Sequence, residues 1–344
     1  MPGPYDLDRD GLTALIEDQP TYRMEQVWHG LYAEGRRPAE MTNLPRPLRD
    51  RLEEALPRGL ELVSESVAAG GQTVKWLWGL ADGARVETVL MHYPDRATVC
   101  VSSQAGCAMG CSFCATGQAG FSRHLSSGEI VEQVVAARRA AAPSRLSNVV
   151  FMGMGEPLAN YERVWAAIVR LHDDLGLSAR HITISTVGVV PGIRRLALEG
   201  LPVNLAVSLH AANDRLRNSL VPLNRRYPIA MLVEACRQYL TAKSRRLSFE
   251  WALIAGVNDR ASDAAELAEL ARPLGAHVNL IPLNPTPGYP VRGTSALGVR
   301  LFRDELTHLG INATVRRNRG TDIDAACGQL AARAAATTGP RLSN

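Results

Sequence analysis

From about residue 97 onward the chain alternates apolar runs of strand length with longer stretches of helical period. The strand-like runs are 97–102, 147–152, 181–186, 203–209, 248–254 and 277–282. The helical stretches between them are 128–141, 161–175, 191–199, 229–243 and 262–272. A helix over 296–309, a strand near 312–317 and a last helix from 322 complete the series. Repeated strand–helix alternation predicts a parallel sheet with crossover helices, in a full or partial barrel. In such folds the chemistry sits at the C-terminal ends of the strands, so the residues just after each strand carry the most information.

The first part of the chain follows another pattern. Residues 1 to about 70 read as short helices: one after Asp8 and Asp10, one over Tyr22 to Tyr32, and one over Leu48 to Leu56 after Pro45 and Pro47. Between about 72 and 93 the period becomes two, and Asp82-Gly83 sits where a hairpin turn is expected. No apolar run approaches a bilayer span, and the acidic, Pro-rich start lacks the pattern of a signal peptide, so a cytoplasmic protein is expected. The net charge of +4 permits a polyanionic partner without requiring one. Lysine occurs only at positions 75 and 243, so arginine supplies nearly all the positive charge. Arginine suits bidentate phosphate contacts, but a GC-rich genome is the preferred explanation of the bias.

The 6 cysteines narrow the chemistry. Cys107, Cys111 and Cys114 share one short loop after the strand ending near Ser102, and Cys100, Cys236 and Cys327 are scattered. That is no even disulfide framework, and in a reducing cytosol it points to metal binding or catalysis. Gly106 and Gly110 let the loop wrap tightly. Three thiolates leave one iron of a 4Fe-4S cluster without a protein ligand, open to a substrate or cofactor. Zinc is the competing reading, but a structural zinc site wants four ligands and His124 is the only nearby fourth candidate. Read alone, Cys100, Cys236 and Cys327 are buried small hydrophobes. Cys327, however, follows two acidic residues near the start of the expected last helix, a setting that can activate a thiol.

The Cys-x3-Cys-x2-Cys spacing resembles the signature of the radical S-adenosylmethionine (SAM) superfamily. The resemblance extends along the chain through Cys100-Val-Ser-Ser-Gln-Ala-Gly-Cys107, Phe151-Met-Gly-Met-Gly-Glu-Pro157, Ile184-Ser-Thr-Val-Gly188, Ser208-Leu-His210, Ile281-Pro-Leu-Asn-Pro285 and Arg319-Gly-Thr-Asp-Ile-Asp-Ala-Ala-Cys-Gly328. In this order they resemble the bacterial RNA adenine-C2 methyltransferases of the RlmN type. Val187 stands where that family's pattern has Ser. The resemblance implies an α/β fold: a partial (β/α)6 radical SAM barrel with a small N-terminal helical domain and a connecting β-hairpin. The corresponding boundaries are 1–70 for a helical RNA-binding accessory domain, 71–96 for the hairpin, 97–337 for the barrel with its catalytic segment, and 338–344 for a disordered tail. It further implies that Cys107, Cys111 and Cys114 hold a 4Fe-4S cluster. Gly155, Glu156, Ser185, Ser208, Leu209, His210 and Asn284 would bind SAM, consumed twice per turnover.

The resemblance also implies a route. Adenine C2 is electron-poor and cannot attack the SAM methyl group, so a radical path is needed, with the cofactor carrying the hard step. Cys327 becomes S-methylcysteine, its methyl is converted to a methylene radical, and that radical adds to C2. Glu87 acts as base, and Cys100 resolves the covalent enzyme–RNA intermediate by forming a disulfide with Cys327. The implied substrates are 23S rRNA and the adenine 3′ of the anticodon in tRNA, with flavodoxin or ferredoxin as electron donor and a monomeric enzyme. Arg36-Arg37, Arg46 to Arg51, Arg225-Arg226, Arg245-Arg246 and the stretch from Arg316 to Arg319 are candidate phosphate contacts. Three alternatives stand beside this reading: a Cfr-type enzyme methylating adenine C8, a radical SAM enzyme for a small molecule, and a zinc-stabilised RNA-binding protein.

Overall fold

Short helices, then alternating polar and apolar residues, then the strand–helix series produce three successive kinds of structure. The computed structural model describes residues 2–286, 289–316 and 319–331. Helices α1 (Arg9–Leu15), α2 (Tyr22–Tyr32) and α3 (Arg46–Ala55) come first. The Asp8 carboxylate caps α1 by accepting from the Gly11 N–H at 2.8 Å. On α3, Leu48 and Leu52 lie one turn apart and are both buried, which fixes the inward face. Strands β1 (Glu61–Val67), β2 (Thr73–Gly79) and β3 (Arg85–His92) then form an antiparallel meander.

β4 (Ala97–Cys100) is the seam of the molecule. It pairs antiparallel with β3, placing Cys100 opposite Val89, and parallel with the next strand of the sheet, placing Cys100 opposite Val150. β5 (Gln104–Gly106) and β6 (Phe121–His124) form a small separate ribbon, with α4 (Ala115–Ala119) between them. The repeating series follows: α5 (Ser127–Ala141), β7 (Leu146–Phe151), α6 (Tyr161–Asp173), β8 (Ile182–Thr186), α7 (Val190–Leu198) and β9 (Asn204–Ser208). It continues through α8 (Asp214–Leu220), α9 (Ile229–Lys243), β10 (Leu247–Leu253), α10 (Ala261–Ala271), β11 (His277–Pro282), α11 (Ala296–His308) and β12 (Ala313–Val315).

Among the described residues these strands make a ten-stranded sheet in the order β1-β2-β3-β4-β7-β8-β9-β10-β11-β12. β4 and β7 to β12 are parallel neighbours, each reached through a crossover helix. Among the described residues the sheet is mixed and open, with β1 and β12 at its edges, so of the full or partial barrel that the alternation allows, the partial one is formed, as the family resemblance implies. The N-terminal helices are tied to the outer helices. Trp28 Nε1 donates to Asp174 Oδ1 at 3.1 Å, and Arg138 and Arg139 donate to the Tyr32 and Gly35 carbonyls at 3.2 and 3.0 Å.

Two readings need correction. Residues 61–67 lie in the stretch expected to be helical, yet β1 is a strand and joins the sheet. The helix expected from 322 is absent among the described residues. A single 3-10 turn at Thr321–Ile323 gives way to turns, with Gly320, Asp324 and Gly328 in the left-handed region at φ 65°, 51° and 82°. Residues in that conformation cannot continue a right-handed helix. Cys327 therefore sits in a turn, and activation by a helix N-terminus does not apply to it. The tail expected to be disordered at 338–344 lies outside the described residues, as do Arg317 and Asn318.

Candidate active site

The triad loop is wound by backbone contacts. The Cys107 N–H donates to the Gly120 carbonyl at 2.7 Å and the Cys114 N–H to the Cys111 carbonyl at 3.2 Å. Gly106, at φ 77°, could not carry a side chain, because a Cβ there would lie 2.0 Å from the Gly120 oxygen. Burial pushes the Cys107 thiol up to about 12 and the Cys111 thiol still further. Holding all three as thiolates in so dry a loop therefore calls for a metal group to compensate the charge. Among the described residues no three His, Cys, Asp or Glu side chains converge as ligands of one ion. His124, the fourth ligand a zinc site would need, instead has its Nδ1 within 3.0 Å of Gln104 Nε2. This donor set fits a cluster that spreads its cysteines over separate irons, with one iron left open.

Above the loop lies a cavity of about 160 Å³ at the C-terminal edge of the parallel strands. Cys111 and Cys114 line it, together with Gly155, Glu156, Ser185, Ser208, His210, Asn284 and Cys327. Most of the residues expected around SAM are thus brought to one place. Leu209 is not among them: its side chain is fully buried, and only its backbone serves, donating to the Glu250 carbonyl at 3.1 Å.

Each polar group in the cavity has a definite state. Glu156 is buried; its Oε1 accepts from the Leu158 N–H at 3.0 Å and its Oε2 from the Val187 N–H at 2.8 Å. Desolvation raises its carboxyl to about 7, so a bound ammonium would favour the ionised form. Gly155 makes the close approach possible, because a Cβ there would lie 2.5 Å from Gln104 Cβ. The Ser185 and Ser208 hydroxyls lie 3.5 Å apart on neighbouring strands. His210 Nδ1 accepts from the Ala252 N–H at 3.0 Å, which leaves the proton of the neutral ring on Nε2 as a donor. Burial, with Arg217 nearby, lowers its pKa to about 3, so the ring stays neutral. Glu250, on β10, also lines the cavity; it accepts from Ser248 Oγ at 2.8 Å and Asn279 Nδ2 at 3.1 Å. Sequence reasoning missed it, although a lone carboxylate in the apolar run Phe249-Glu250-Trp251-Ala252-Leu253 was a usable signal.

A second cavity of about 340 Å³ adjoins the first, with Cys100, Met152, Arg316 and Cys327 on its wall. Met152, Arg316 and Cys327 line both cavities. Arg316 was expected as a phosphate contact, but the structure half-buries it between the cysteines, with Nη1 3.5 Å from Met152 Sδ. Its pKa is pushed up, chiefly by Cys327. Cys100 is buried and its thiol is raised to about 12 by desolvation, with Arg316 acting in the opposite direction. Arg319 also lines this cavity and stacks on Tyr93, its guanidinium 4.3 Å from the ring, while Arg96 lies 4.7 Å from the same ring.

Cys327 is fastened to the triad's own support. Asn284 Nδ2 donates to the Cys327 carbonyl at 3.0 Å, the Ala115 N–H to the Gly328 carbonyl at 2.8 Å, and Thr116 Oγ1 to the Leu330 carbonyl at 2.6 Å. Glu87, in contrast, lines neither cavity. It is buried on β3, paired with Lys75 Nζ at 2.9 Å, and its Oε2 accepts from the Ala331 N–H at 2.8 Å. Cys236 is fully buried in α9, as expected of a core residue. The other candidate arginines are dispersed; Arg51 and Arg37, for example, pair with Asp18 and Glu40.

Residues 101–271 match the family model of the radical SAM superfamily. The chain is 51% identical to a protein of Chloroflexus aurantiacus named probable dual-specificity RNA methyltransferase RlmN, covering 96% of this chain and 92% of that one. The chain belongs to the RlmN family of radical SAM RNA methyltransferases. It is also 51% identical to dual-specificity RNA methyltransferase RlmN 1 of Myxococcus xanthus, covering 95% of this chain and 94% of the relative. Among solved structures, a radical SAM methyltransferase from Sphaerobacter thermophilus matches with a TM-score of 0.94 and 51% identity, over 97% of this chain and all of that one. Membership of the RlmN family implies SAM and a 4Fe-4S cluster, and the triad loop described above fits that requirement.

Proposed function

We propose that the chain methylates C2 of adenine in 23S rRNA and in tRNA, at the adenine 3′ of the anticodon, through a covalent enzyme–RNA intermediate. The observation that carries this is the placement of Cys100 and Cys327 on one cavity wall, next to the cavity lined by Cys111 and Cys114. A radical SAM enzyme without a covalent intermediate has no use for that second pair. In this reading Cys107, Cys111 and Cys114 hold the cluster, which supplies the electron for reductive SAM cleavage when bound. Glu156 receives the SAM ammonium, while Ser185, Ser208, His210 and Asn284 orient the remainder. Two SAM molecules are used per turnover.

Cys327 Sγ accepts a methyl group and later carries the carbon to C2. The C2 adduct would give its unpaired electron back to the cluster; Glu87 then removes the C2 proton, which requires the segment after Cys327 to lift away, because Ala331 N–H occupies its Oε2 in this state. The Cys100 thiolate then attacks Cys327 Sγ. The S–S bond forms, the Sγ–CH2 bond breaks, and its electron pair passes to the methylene carbon, which takes a proton to become the methyl group. Arg316 favours the anionic form of Cys100 that this attack needs.

The target base must leave its stack to reach such a cavity, which suits RNA loops and unpaired tips. Tyr93 between Arg96 and Arg319, at the rim of the second cavity, suits a nucleotide by stacking and charge. The helical segment within 1–70 is the further RNA contact. A flavodoxin or ferredoxin supplies electrons to a cytoplasmic monomer; no helix among the described residues is long and apolar enough to cross a membrane. The test is mass analysis of nucleosides in rRNA and tRNA from cells lacking the gene. Loss of 2-methyladenosine from both supports the reading; its normal presence in both, or loss of 8-methyladenosine instead, overturns it.

A further inference from the structure

Arginine supplies all but two of the chain's long cationic side chains; the exceptions are Lys75 and Lys243. Lys243 sits in the last turn of α9, where a cation meets the helix dipole. Lys75 lies inside β2, and its side chain is only 13% exposed. β2 pairs antiparallel with β3, with Lys75 opposite Val89 and Leu77 opposite Glu87. Opposed residues, and alternate residues along a strand, share one face of a sheet. Lys75 and Glu87 therefore stand on the same face as Val89 and Met91, which line the second cavity. Trp76, Trp78 and Thr88 take the other face, where Trp78 Nε1 donates to Thr88 Oγ1 at 3.0 Å and Thr88 Oγ1 to Gln133 Oε1 at 2.8 Å.

On the cavity face Lys75 Nζ makes two contacts, to Glu87 Oε1 at 2.9 Å and to the Asp324 carbonyl at 3.3 Å. The other carboxylate oxygen, Glu87 Oε2, accepts from the Ala331 N–H. Asp324 and Ala331 flank Cys327, so the lysine and the carboxylate hold both ends of the stretch that carries it. Asp322 Oδ2, accepting from the Ala69 N–H at 2.8 Å, ties the same stretch to the turn between β1 and β2. The Glu87 backbone is held separately, by the strand ladder and by Ser102 Oγ, which donates to its carbonyl at 2.6 Å. What Lys75 adds is the orientation of the carboxylate. An ammonium is a compact charge with three donors, and it can divide them between one carboxylate oxygen and a carbonyl. A guanidinium offers two parallel N–H groups and favours both oxygens of a carboxylate at once. Arginine at this position would engage Oε2, the oxygen that must accept the C2 proton, which gives a reason for lysine in a chain that otherwise uses arginine.

We propose that Lys75 is a positioning residue for proton removal at adenine C2: it holds Glu87 by Oε1 alone, so that Oε2 faces the C2–H once the segment carrying Cys327 lifts away. This rests on the reading of Glu87 as the base. The proton passes from C2 to Oε2, the C–H electron pair stays with the ring, and Lys75 keeps its own protons. When the segment lifts, Lys75 gives up the Asp324 carbonyl and stays on Oε1, so the carboxylate does not swing as its other partner leaves.

The experiment is a single-turnover assay of holoenzyme already methylated on Cys327, given SAM, reductant and saturating substrate RNA with hydrogen or deuterium at C2 of the target adenine. It compares the native protein with Lys75→Met, Lys75→Arg, Glu87→Gln and the Lys75→Met/Glu87→Gln double variant, each at matched iron content. Lys75→Met and Lys75→Arg are each expected to slow product formation roughly tenfold or more. Both should also raise the deuterium isotope effect above the native value, because C2 deprotonation becomes the slow step. In the Glu87→Gln background, Lys75→Met should change the residual rate by less than about twofold, since the residue acts through Glu87. A native isotope effect in both Lys75 variants, or a full additive loss in the double variant, would mean that Lys75 only supports the fold and overturns the proposal. A native rate in Lys75→Arg overturns it as well, because charge alone would then suffice. If Lys75→Met takes up no iron, the isotope effect in Lys75→Arg decides by itself. A native rate in Glu87→Gln would instead overturn the reading of Glu87 as the base.

Discussion

The loop 107–114 and the segment 320–331 bring cysteines to the same cavity, but the fold holds them differently. The loop begins directly after β5, ends at the start of α4 and is closed by its own backbone bonds. The segment, beyond its single 3-10 turn, has no regular structure among the described residues. It is held by contacts at its edges: Asn284 and Thr116 from the barrel, the Ala115 N–H, and Glu87 from β3. On the proposed reaction the difference has a meaning: a group that would stay in place is built into the fold, whereas a cysteine that would visit two partners is fastened by contacts that can be released. Glu87 illustrates the second case, since the carboxylate proposed as base also clips down the segment that would have to move to expose it.

The comparison breaks most sharply at the loop. Cys111→Ala should remove nearly all bound iron and its visible absorption after reconstitution, whereas Cys327→Ala should leave both intact. Equal losses from the two variants would show that the segment is part of the cluster's support. Next in size is a pH effect on SAM. Because the buried Glu156 ionises at about 7, with the Cys107 and Cys111 thiols facing it, affinity for SAM should strengthen as pH rises. The gain is about tenfold between pH 6 and 8, from the ionised fraction alone. Equilibrium dialysis reads it, and Glu156→Gln should bind weakly with a flat profile. The smallest effect is on the segment: Thr116→Val removes the bond to the Leu330 carbonyl, worth about 1 kcal/mol. Amide exchange over 320–331 should quicken roughly fivefold while 107–114 is unchanged.

The parts of the molecule governed by local pattern were legible in the sequence. Strand and helix positions from Ala97 to His308 follow the apolar periodicity closely; α9, at Ile229–Lys243, agrees with the expected bounds. β1 was not legible because its exposed edge, Glu-Leu-Val-Ser-Glu-Ser-Val, lacks a clean buried face. α8 was passed over because it is short and charged, and its Asn213 cap, accepting from the Leu216 N–H at 2.9 Å, is a local detail. The expected last helix failed because composition favoured it while left-handed residues at Asp324 and Gly328 forbade it. For the site, the triad loop stood out by its spacing, and most of the residues that line the first cavity stood out through the family motifs. Glu250 and the inward turn of Arg316 depend on contacts between distant strands, which no spacing encodes.

The central claim is that Cys100 and Cys327 act on one covalent intermediate across a shared cavity. Incubating Cys100→Ala holoenzyme with SAM, reductant and substrate RNA, then measuring intact mass under denaturing conditions, tests it directly. The account predicts a protein–RNA species that is abundant in Cys100→Ala and absent in the Cys100→Ala/Cys327→Ala double variant. Free Cys100→Ala protein that releases methylated RNA at the native rate would contradict it.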